Sequence, residues 1–570
     1  VKIYLISIEQ EGGMKRFLKA SIWIVGVFLM MCVLYTLFMA WTRFAPPDIH
    51  IPPVAKVQML NGKAVLPLEG DMRKVSARTW LAPVGKIWEM HLGGGPVELG
   101  MAQSLLSSFL MKEQEAYFID QLKRYIPSRL IQRILKIYVR WHFRGLDDQV
   151  PASYRKELQA MALTYPDAYA NMEETYQRFL YLHAFHDITQ GLEQSPLIAC
   201  SAFGVWGPYT RDGHLILGRN FDFEEGEIFD ANKVVFFFQP DGGIPFVSVA
   251  WAGMVGVVTG LNAKGIFISV NAARSRESRN EGMPVVFLLR KVLQEAGTLN
   301  EALAIIKETP MMVADIFLLG DGKARKAVVV EKTPYLTEVR KGEGLVIATN
   351  HFLKEPLRTD PENLRLVKTT TTVHRYHRLE ELLHGKYGEI TPKTALEILR
   401  DRRGAGDTPL APGNRNALNA LIACHSVVVD ATEGLIWVSE APHLLGAYRS
   451  FDLKKALREP GQTANRPAMD LPEDRFLASG QYDRYLLFRQ YLAMAEELSE
   501  RGYPDEALDY TRRALDLFPD HPEANLLAGR ISLELKDRKS AGDFFRRYLQ
   551  DHPRDPSEAE SVKRRLREGR

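Results

Sequence analysis

Cysteine is scarce in this sequence: there are three in 570 residues, Cys32, Cys200 and Cys424. Their spacing offers neither the close pairs of a zinc site nor the density of a disulfide framework, so each thiol has to be read singly. Charge of one sign is also missing. The 73 Lys and Arg against 70 Asp and Glu leave +3 at pH 7, which gives no electrostatic footprint for nucleic acid. His183, His186 and Asp187 stand close together, but no further ligand cluster accompanies them. They read as core or cap residues, and neither a metal nor a cofactor is expected. What remains is ordinary globular usage, 46% apolar and 25% charged, over a length too great for one hydrophobic core, so several domains are expected.

There is one long apolar run, ASIWIVGVFLMMCVLYTLFMAW, at 20–41. As a helix it spans ~33 Å, enough to cross a bilayer. Lys15, Arg16 and Lys19 precede it and only Arg43 follows closely. The positive-inside rule therefore leaves the N-terminus cytoplasmic and puts the rest outside, in a periplasm or at the cell surface. A cleaved signal peptide is the alternative, but the run exceeds a usual apolar signal core and no small-x-small site closes it before Phe44.

Residues 46–95 mix strand-like runs with Gly and Pro and read as a linker. From 97 to 191 the apolar spacing becomes helical. After Pro196 short alternating strands follow one another at 197–206, 215–222, 233–238, 246–249, 255–259 and 266–271. Helical spacing interrupts them at 283–296 and 299–307, and strands resume at 316–319, 327–331, 345–349, 426–430 and 435–439. Strands in blocks separated by helices predict an α+β layered fold. Near the end, Ala507, Tyr510, Leu515 and Pro519 recur 34 positions later as Ala541, Phe544, Leu549 and Pro553. That is the period and pattern of tetratricopeptide repeats, all-α modules whose concave side commonly binds a protein partner. A stabilising helical cap on the preceding domain, without a partner, is the other reading.

The chemistry centres on one thiol. Cys200 lies in the strand Ile-Ala-Cys-Ser-Ala-Phe, the chain turns through Asp212-Gly213, and the returning strand ends Gly-Arg-Asn-Phe-Asp at Asp222. Such a hairpin can set a guanidinium and a carboxylate beside the cysteine. The first favours thiolate and the second can hold an amine.

Further signatures follow in order: Gly260-Leu261-Asn262-Ala263-Lys264-Gly265-Ile266 through Asn271, Thr349-Asn350-His351-Phe352, and His425-Ser426-Val427-Val428-Val429-Asp430 through Val438, with Gly94-Gly95-Pro96-Val97-Glu98-Leu99-Gly100 upstream. Together with the Cys200 hairpin they resemble the acyl-coenzyme A:6-aminopenicillanate acyltransferase family and its choloylglycine hydrolase relatives, over roughly residues 90–455. The resemblance implies an αββα N-terminal-nucleophile (Ntn) hydrolase sandwich. It divides the chain into a tail and membrane anchor (1–44), a linker with a mainly helical propeptide-like region (45–199), the catalytic domain (200–455), a linker (456–480) and the repeats (481–570).

It also implies a mechanism. Cys200 attacks the carbonyl of Ala199, the Ala199–Cys200 amide bond breaks to leave a thioester that water resolves, and the freed α-amine, with an ordinary pKa of about 7.7 to 8.0, serves as general base on the same residue as the restored thiol. Asp222 would hold that amine and Arg219 the thiol and substrate, Asn350 and Asn271 would donate to the tetrahedral oxyanion, and His351 and His425 could face the substrate. The expected reaction is hydrolysis or transfer of an amide-linked acyl group on a small-molecule or peptide-like substrate. Water is the favoured acceptor, because coenzyme A is scarce outside the cytoplasm. Two rivals stay open: a lipid-directed hydrolase of the same fold, acting on N-acyl amides or like phospholipase B, and a catalytically silent scaffold that recruits partners through its repeats.

Overall fold

The structure is a computed structural model that describes residues 23–53, 58–60, 63–65, 68–69, 72–192, 198–223, 227–550 and 556–568. Lys15, Arg16 and Lys19, the start of the apolar run, Leu197 and Pro553 lie outside these residues.

Two sheets form the centre. Among the described residues the larger has eleven strands, running from Thr337–Lys341 at one edge through Lys326–Lys332, Asp315–Asp321, Ile266–Ala272, Thr259–Asn262, Phe246–Trp251, Lys233–Pro240, Ile87–Gly94, Thr79–Val84 and Met72–Ser76 to Leu68–Glu69. The smaller has six, in the order Leu345–Ala348, Ile198–Val205, Ile216–Phe223, Ala423–Asp430, Leu435–Ser439 and Tyr448–Asp452. Alternate residues of the two sheets meet between them, with Leu217, Val427 and Val429 of the small sheet sharing a core with Val247, Phe267 and Leu318 of the large one. The outer face of the large sheet is covered by helices Pro96–Tyr125, Ala152–Thr164 and Val285–Glu295. That of the small sheet is covered by Thr372–Gly385 and Pro392–Leu399. Helix, sheet, sheet and helix thus give the four expected layers.

Four readings of the sequence need correction. The segment read as a linker, 46–95, supplies strands of the large sheet. Ile87–Gly94 pairs in parallel with Lys233–Pro240, a partner about 145 positions away that no local pattern discloses. The strand expected at 255–259 is instead Thr259–Asn262. The buried Val255 and Val257 N–H groups donate to His183 Nε2 and to the Val286 carbonyl rather than to a neighbouring strand. The second linker, 456–480, is fastened to the sandwich: Ala464 N–H donates to Glu89 Oε1 at 2.6 Å, and Tyr448 and Leu471 form a bridge. Finally, three helices, Pro361–Thr369, Thr372–Gly385 and Pro392–Leu399, fill a stretch in which none was expected.

At the N-terminal end Trp23–Trp41 is a helix of mean hydropathy 2.3 with none of its apolar window buried. Helix Arg129–His142 docks at its foot. Arg140 Nε donates to Thr42 Oγ1 (3.0 Å) and its Nη2 to the Met39 carbonyl (2.7 Å), and Arg144 lies over the Trp41 ring. Helix Arg129–His142 is strongly amphipathic, yet Leu130, Ile131, Ile134 and Trp141 are exposed. At the other end, helices Gln481–Glu500, Pro504–Leu517, Pro522–Glu534, Arg538–Gln550 and Pro556–Glu568 form the repeat array. The small residues Ala507 and Ala541 are buried, as helix-to-helix contact in such repeats requires.

Candidate active site

The strand Ile198–Val205 returns antiparallel as Ile216–Phe223, with Ala199 opposite Asp222, Cys200 opposite Phe221 and Ala202 opposite Arg219. Gly213 takes φ +75 in the connection, a conformation costly to residues with a Cβ. Because side chains alternate across a strand, the register sends Cys200, Arg219 and Phe221 inward toward the large sheet. Ser201, Asn220 and Asp222 point outward toward the covering helices.

On the inner face Cys200 is fully buried. Arg219 Nη2 lies 3.8 Å from its Sγ. The guanidinium is itself fixed by the Val258 carbonyl at 3.1 Å, by the Val270 carbonyl and Thr259 Oγ1, and by stacking over the Phe221 ring. Burial pushes the Cys200 thiol above its ordinary range, while Arg219 works in the opposite direction. An unassisted thiol is therefore largely protonated at neutral pH, and a base has to be supplied.

On the outer face Asp222 meets a cluster of cations. Burial raises its carboxyl to about 6, opposed first by Arg415, then by Arg375 and Arg219. Arg375, which sequence reasoning missed, is the hub: its Nη1 donates to the Cys200 carbonyl (2.5 Å) and Ser201 Oγ (2.9 Å), and its Nη2 to Asn350 Oδ1 (2.9 Å). Asn350 Oδ1 also accepts from the Cys200 main-chain N–H at 2.9 Å, and Asn350 Nδ2 donates to the Ala272 carbonyl. Cys200, Arg219, Asp222 and Asn350 thus lie close together, with Asn350 Oδ1 accepting from the Cys200 N–H where donation to an oxyanion was expected of its amide. Asn220 reaches outward to hold the Leu399 and Leu418 carbonyls, both at 3.0 Å.

Asn271 is close but differently employed. Its Nδ2 donates to the Ala348 and Thr349 carbonyls at 3.1 and 3.0 Å, so both amide hydrogens are spent and none remains for an oxyanion. It clamps the strand that presents Asn350. Asn271→Ala leaves two buried carbonyls without these donors and is expected to lower unfolding stability by about 1–3 kcal/mol, read as a fall in the urea midpoint.

The two histidines also take supporting places. His351 Nδ1 sits between Thr349 Oγ1 and Thr372 Oγ1, and burial drives its pKa down to about 4. His425 Nε2 faces Thr259 Oγ1 and Arg219 Nη1, and burial with that cation holds it neutral. Neither lines the cavity that opens at the cysteine, so the expected contact with substrate is not what the geometry provides. His183, His186 and Asp187 go separate ways: His183 bonds the Phe179 carbonyl and Val255 N–H, His186 pairs with Asp315, and Asp187 accepts from Val285 N–H. Among the described residues no group of three or more His, Cys, Asp or Glu is arranged to hold a metal.

The cavity, about 210 Å³ and almost wholly apolar, is bounded by Cys200, Phe221, Trp251 and Val258 on the sheet side and by Met111 and Phe179 of the N-terminal helices on the other. The helical region before Cys200 thus forms a wall of the site. Cys424 is separate from this cavity lining and is buried, its thiol pushed well upward.

The comparisons show the resemblance read from the motifs over part of its extent. Residues 209–418 match the model of the acyl-coenzyme A:6-aminopenicillanic acid acyl-transferase family, and residues 498–566 match a tetratricopeptide repeat. An uncharacterized protein of Archaeoglobus fulgidus is 25% identical over 362 residues, covering 56% of this chain and 59% of its own. Acid ceramidase of Macaca fascicularis is 24% identical over 231 residues, covering 34% of this chain and 58% of its own. The chain therefore spans less than two thirds of the length of these relatives. Among solved structures, a Caenorhabditis elegans N-acylethanolamine-hydrolyzing acid amidase ortholog aligns with a TM-score of 0.31 and 16% identity, covering 46% of this chain and 98% of that one.

Proposed function

We propose that the protein is a cysteine Ntn amidohydrolase that frees its own nucleophile by breaking the Ala199–Cys200 bond and then cleaves N-acyl amides carrying an apolar acyl chain. The observation that carries this reading is the setting of Cys200. Its thiol opens on an apolar cavity under Arg219, while its main-chain N–H is already held by Asn350 and lies on the strand pair that brings Asp222 opposite Ala199. After cleavage that nitrogen is an α-amine able to take the thiol proton. The sulfur adds to the substrate carbonyl, the amine product leaves with the proton, and water resolves the thioester to a carboxylic acid, restoring the thiol. Asn350 Nδ2, which spends one hydrogen on the Ala272 carbonyl, has a second that would stabilise the oxyanion. Acid ceramidase, a relative by sequence, supports amide chemistry on an acyl lipid, and the cavity favours such substrates over peptide-like ones.

We also place the enzyme on the outer side of a membrane, anchored by Trp23–Trp41. Helix Arg129–His142, fixed to the foot of that segment with apolar side chains exposed and Arg129, Arg133 and Lys136 among them, would lie at the lipid interface. Protease added to sealed right-side-out membranes digests the catalytic domain under this topology.

The substrate class is tested with N-acyl amides of graded chain length. Long-chain amides are expected to be cleaved in preference to acetyl and butyryl amides. Ala252→Trp, which fills the cavity wall, should cost the long-chain substrates at least about tenfold in kcat/KM while sparing the short ones. Indifference of wild type and variant to chain length would remove the cavity from the account.

A further inference from the structure

The repeats do not stand apart from the site. Leu421 and Leu445 of the catalytic domain share one apolar core with Tyr482, Tyr485, Phe488 and Leu492 of the first repeat helix. His521, between repeat helices, bonds through Nε2 to the Pro412 carbonyl at 3.1 Å, and since a carbonyl only accepts, Nε2 carries the hydrogen. Gly413, at φ +81, lies so close to Tyr485 that a Cβ there would fall 2.2 Å from its hydroxyl oxygen. These contacts seize the outer side of the loop 411–421. Its inner side is held by Asn220, through the Leu418 carbonyl, and by Asn419 N–H on the Asp401 carbonyl. Between the two lies Arg415, the cation with the largest effect on Asp222. The last helix, Pro556–Glu568, also touches Pro361–Thr369, the helix preceding the one that carries Arg375.

We propose that the tetratricopeptide module acts in cis as a clamp on the 411–421 loop, with His521 and the Gly413–Tyr485 contact as positioning elements that hold Arg415 beside Asp222. The consequence for catalysis rests on the function proposed above; the clamp itself does not. The titratable and charged groups that act on Asp222 are Arg219, Cys200 and Cys424 from the strands, Arg375 from its helix, Arg415 from the loop and, after scission, the Cys200 α-amine. Arg415 favours the carboxylate, so a loosened loop raises the Asp222 pKa and moves the acid limb of the activity profile to higher pH. This is the lower of two acid limbs: activity falls first as the α-amine protonates near its ordinary pKa of about 7.7 to 8.0, and again as Asp222 protonates through about 6. Burial holds His521 down at about 4, so its own ionisation does not produce that limb.

The test uses the full chain. In His521→Ala the lower acid limb of kcat/KM should rise by about half a unit to one unit, and amide hydrogen exchange across 411–421 should accelerate. His521→Gln, which keeps an N–H donor, should restore both in part. Gly413→Ala should reproduce both effects from the loop side without altering the repeats, so the question survives if His521→Ala fails to fold. Unchanged exchange across the loop in both folded variants would overturn the clamp, as would an unmoved lower limb. If the wild type cleaves no amide, the proposed function fails and the exchange result alone decides the clamp.

Discussion

Cys200→Ala is expected to stay uncut and inactive. The substitution removes one sulfur from a fully buried position and leaves every main-chain bond of the strand pair in place, so the fold should persist. In the proposed mechanism both cleavage and turnover use that sulfur as nucleophile, so activity should fall by at least about 10³-fold, with only binding and oxyanion donors left to act. Electrophoresis of purified protein should show one full-length chain where the parent shows two fragments. Cys200→Ser should cleave slowly, because a hydroxyl can make the same shift but is the weaker nucleophile. Cleavage at the parent rate in the alanine variant would assign the scission to another residue or to a contaminating protease.

Arg375→Ala should produce the next largest loss. One guanidinium satisfies the Cys200 carbonyl, the Ser201 hydroxyl and the Asn350 amide oxygen, and it helps keep Asp222 ionised. Removing it strands these groups in a buried site, with a cost to stability of about 3–5 kcal/mol. It also frees Asn350 to drift from the Cys200 nitrogen, and a displacement near 1 Å at such a centre can cost about 10²-fold in kcat. Arg375→Lys keeps the charge but not the fork, and should recover stability more than rate. Steady-state kinetics and denaturant unfolding on the same preparations separate the two effects. A variant with parental kcat would show that Asn350 is held without Arg375.

The Cys200 hairpin could be read from the sequence because its parts are consecutive. A strand, a Gly turn and a returning strand fix the register, and alternation then places Arg219 and Asp222 without reference to the rest of the chain. Asn350 was legible for a related reason: it ends an apolar strand as a polar step with no turn to explain it. Asn271 was found but given the wrong task, because where its amide hydrogens go depends on carbonyls 77 and 78 positions away. Arg375 left no signal. It sits in Thr-Val-His-Arg-Tyr-His-Arg, where a basic residue on a helix resembles any solvated one until the helix is seen packed against the small sheet. Arg415 sits in the loop 411–421, and only the fold of that loop sets its charge against Asp222.

The same limit explains the domain boundaries. Cutting the chain at Cys200 separates chemistry from its propeptide-like precursor, yet Ile87–Gly94 pairs inside the large sheet and the helices before residue 193 wall the cavity. Fragments 1–199 and 200–570 would therefore remain one folded body after scission, held by the Ile87–Gly94 pairing with Lys233–Pro240 and by an apolar core shared across the cut.

The central claim, that Cys200 works with its own α-amine, is tested most directly by intact-mass measurement on catalytically active protein under denaturing conditions. The account predicts that activity tracks a fragment whose first residue is Cys200, with the mass expected for the chain from that residue onward. A fully active single chain carrying an unbroken Ala199–Cys200 bond would contradict it.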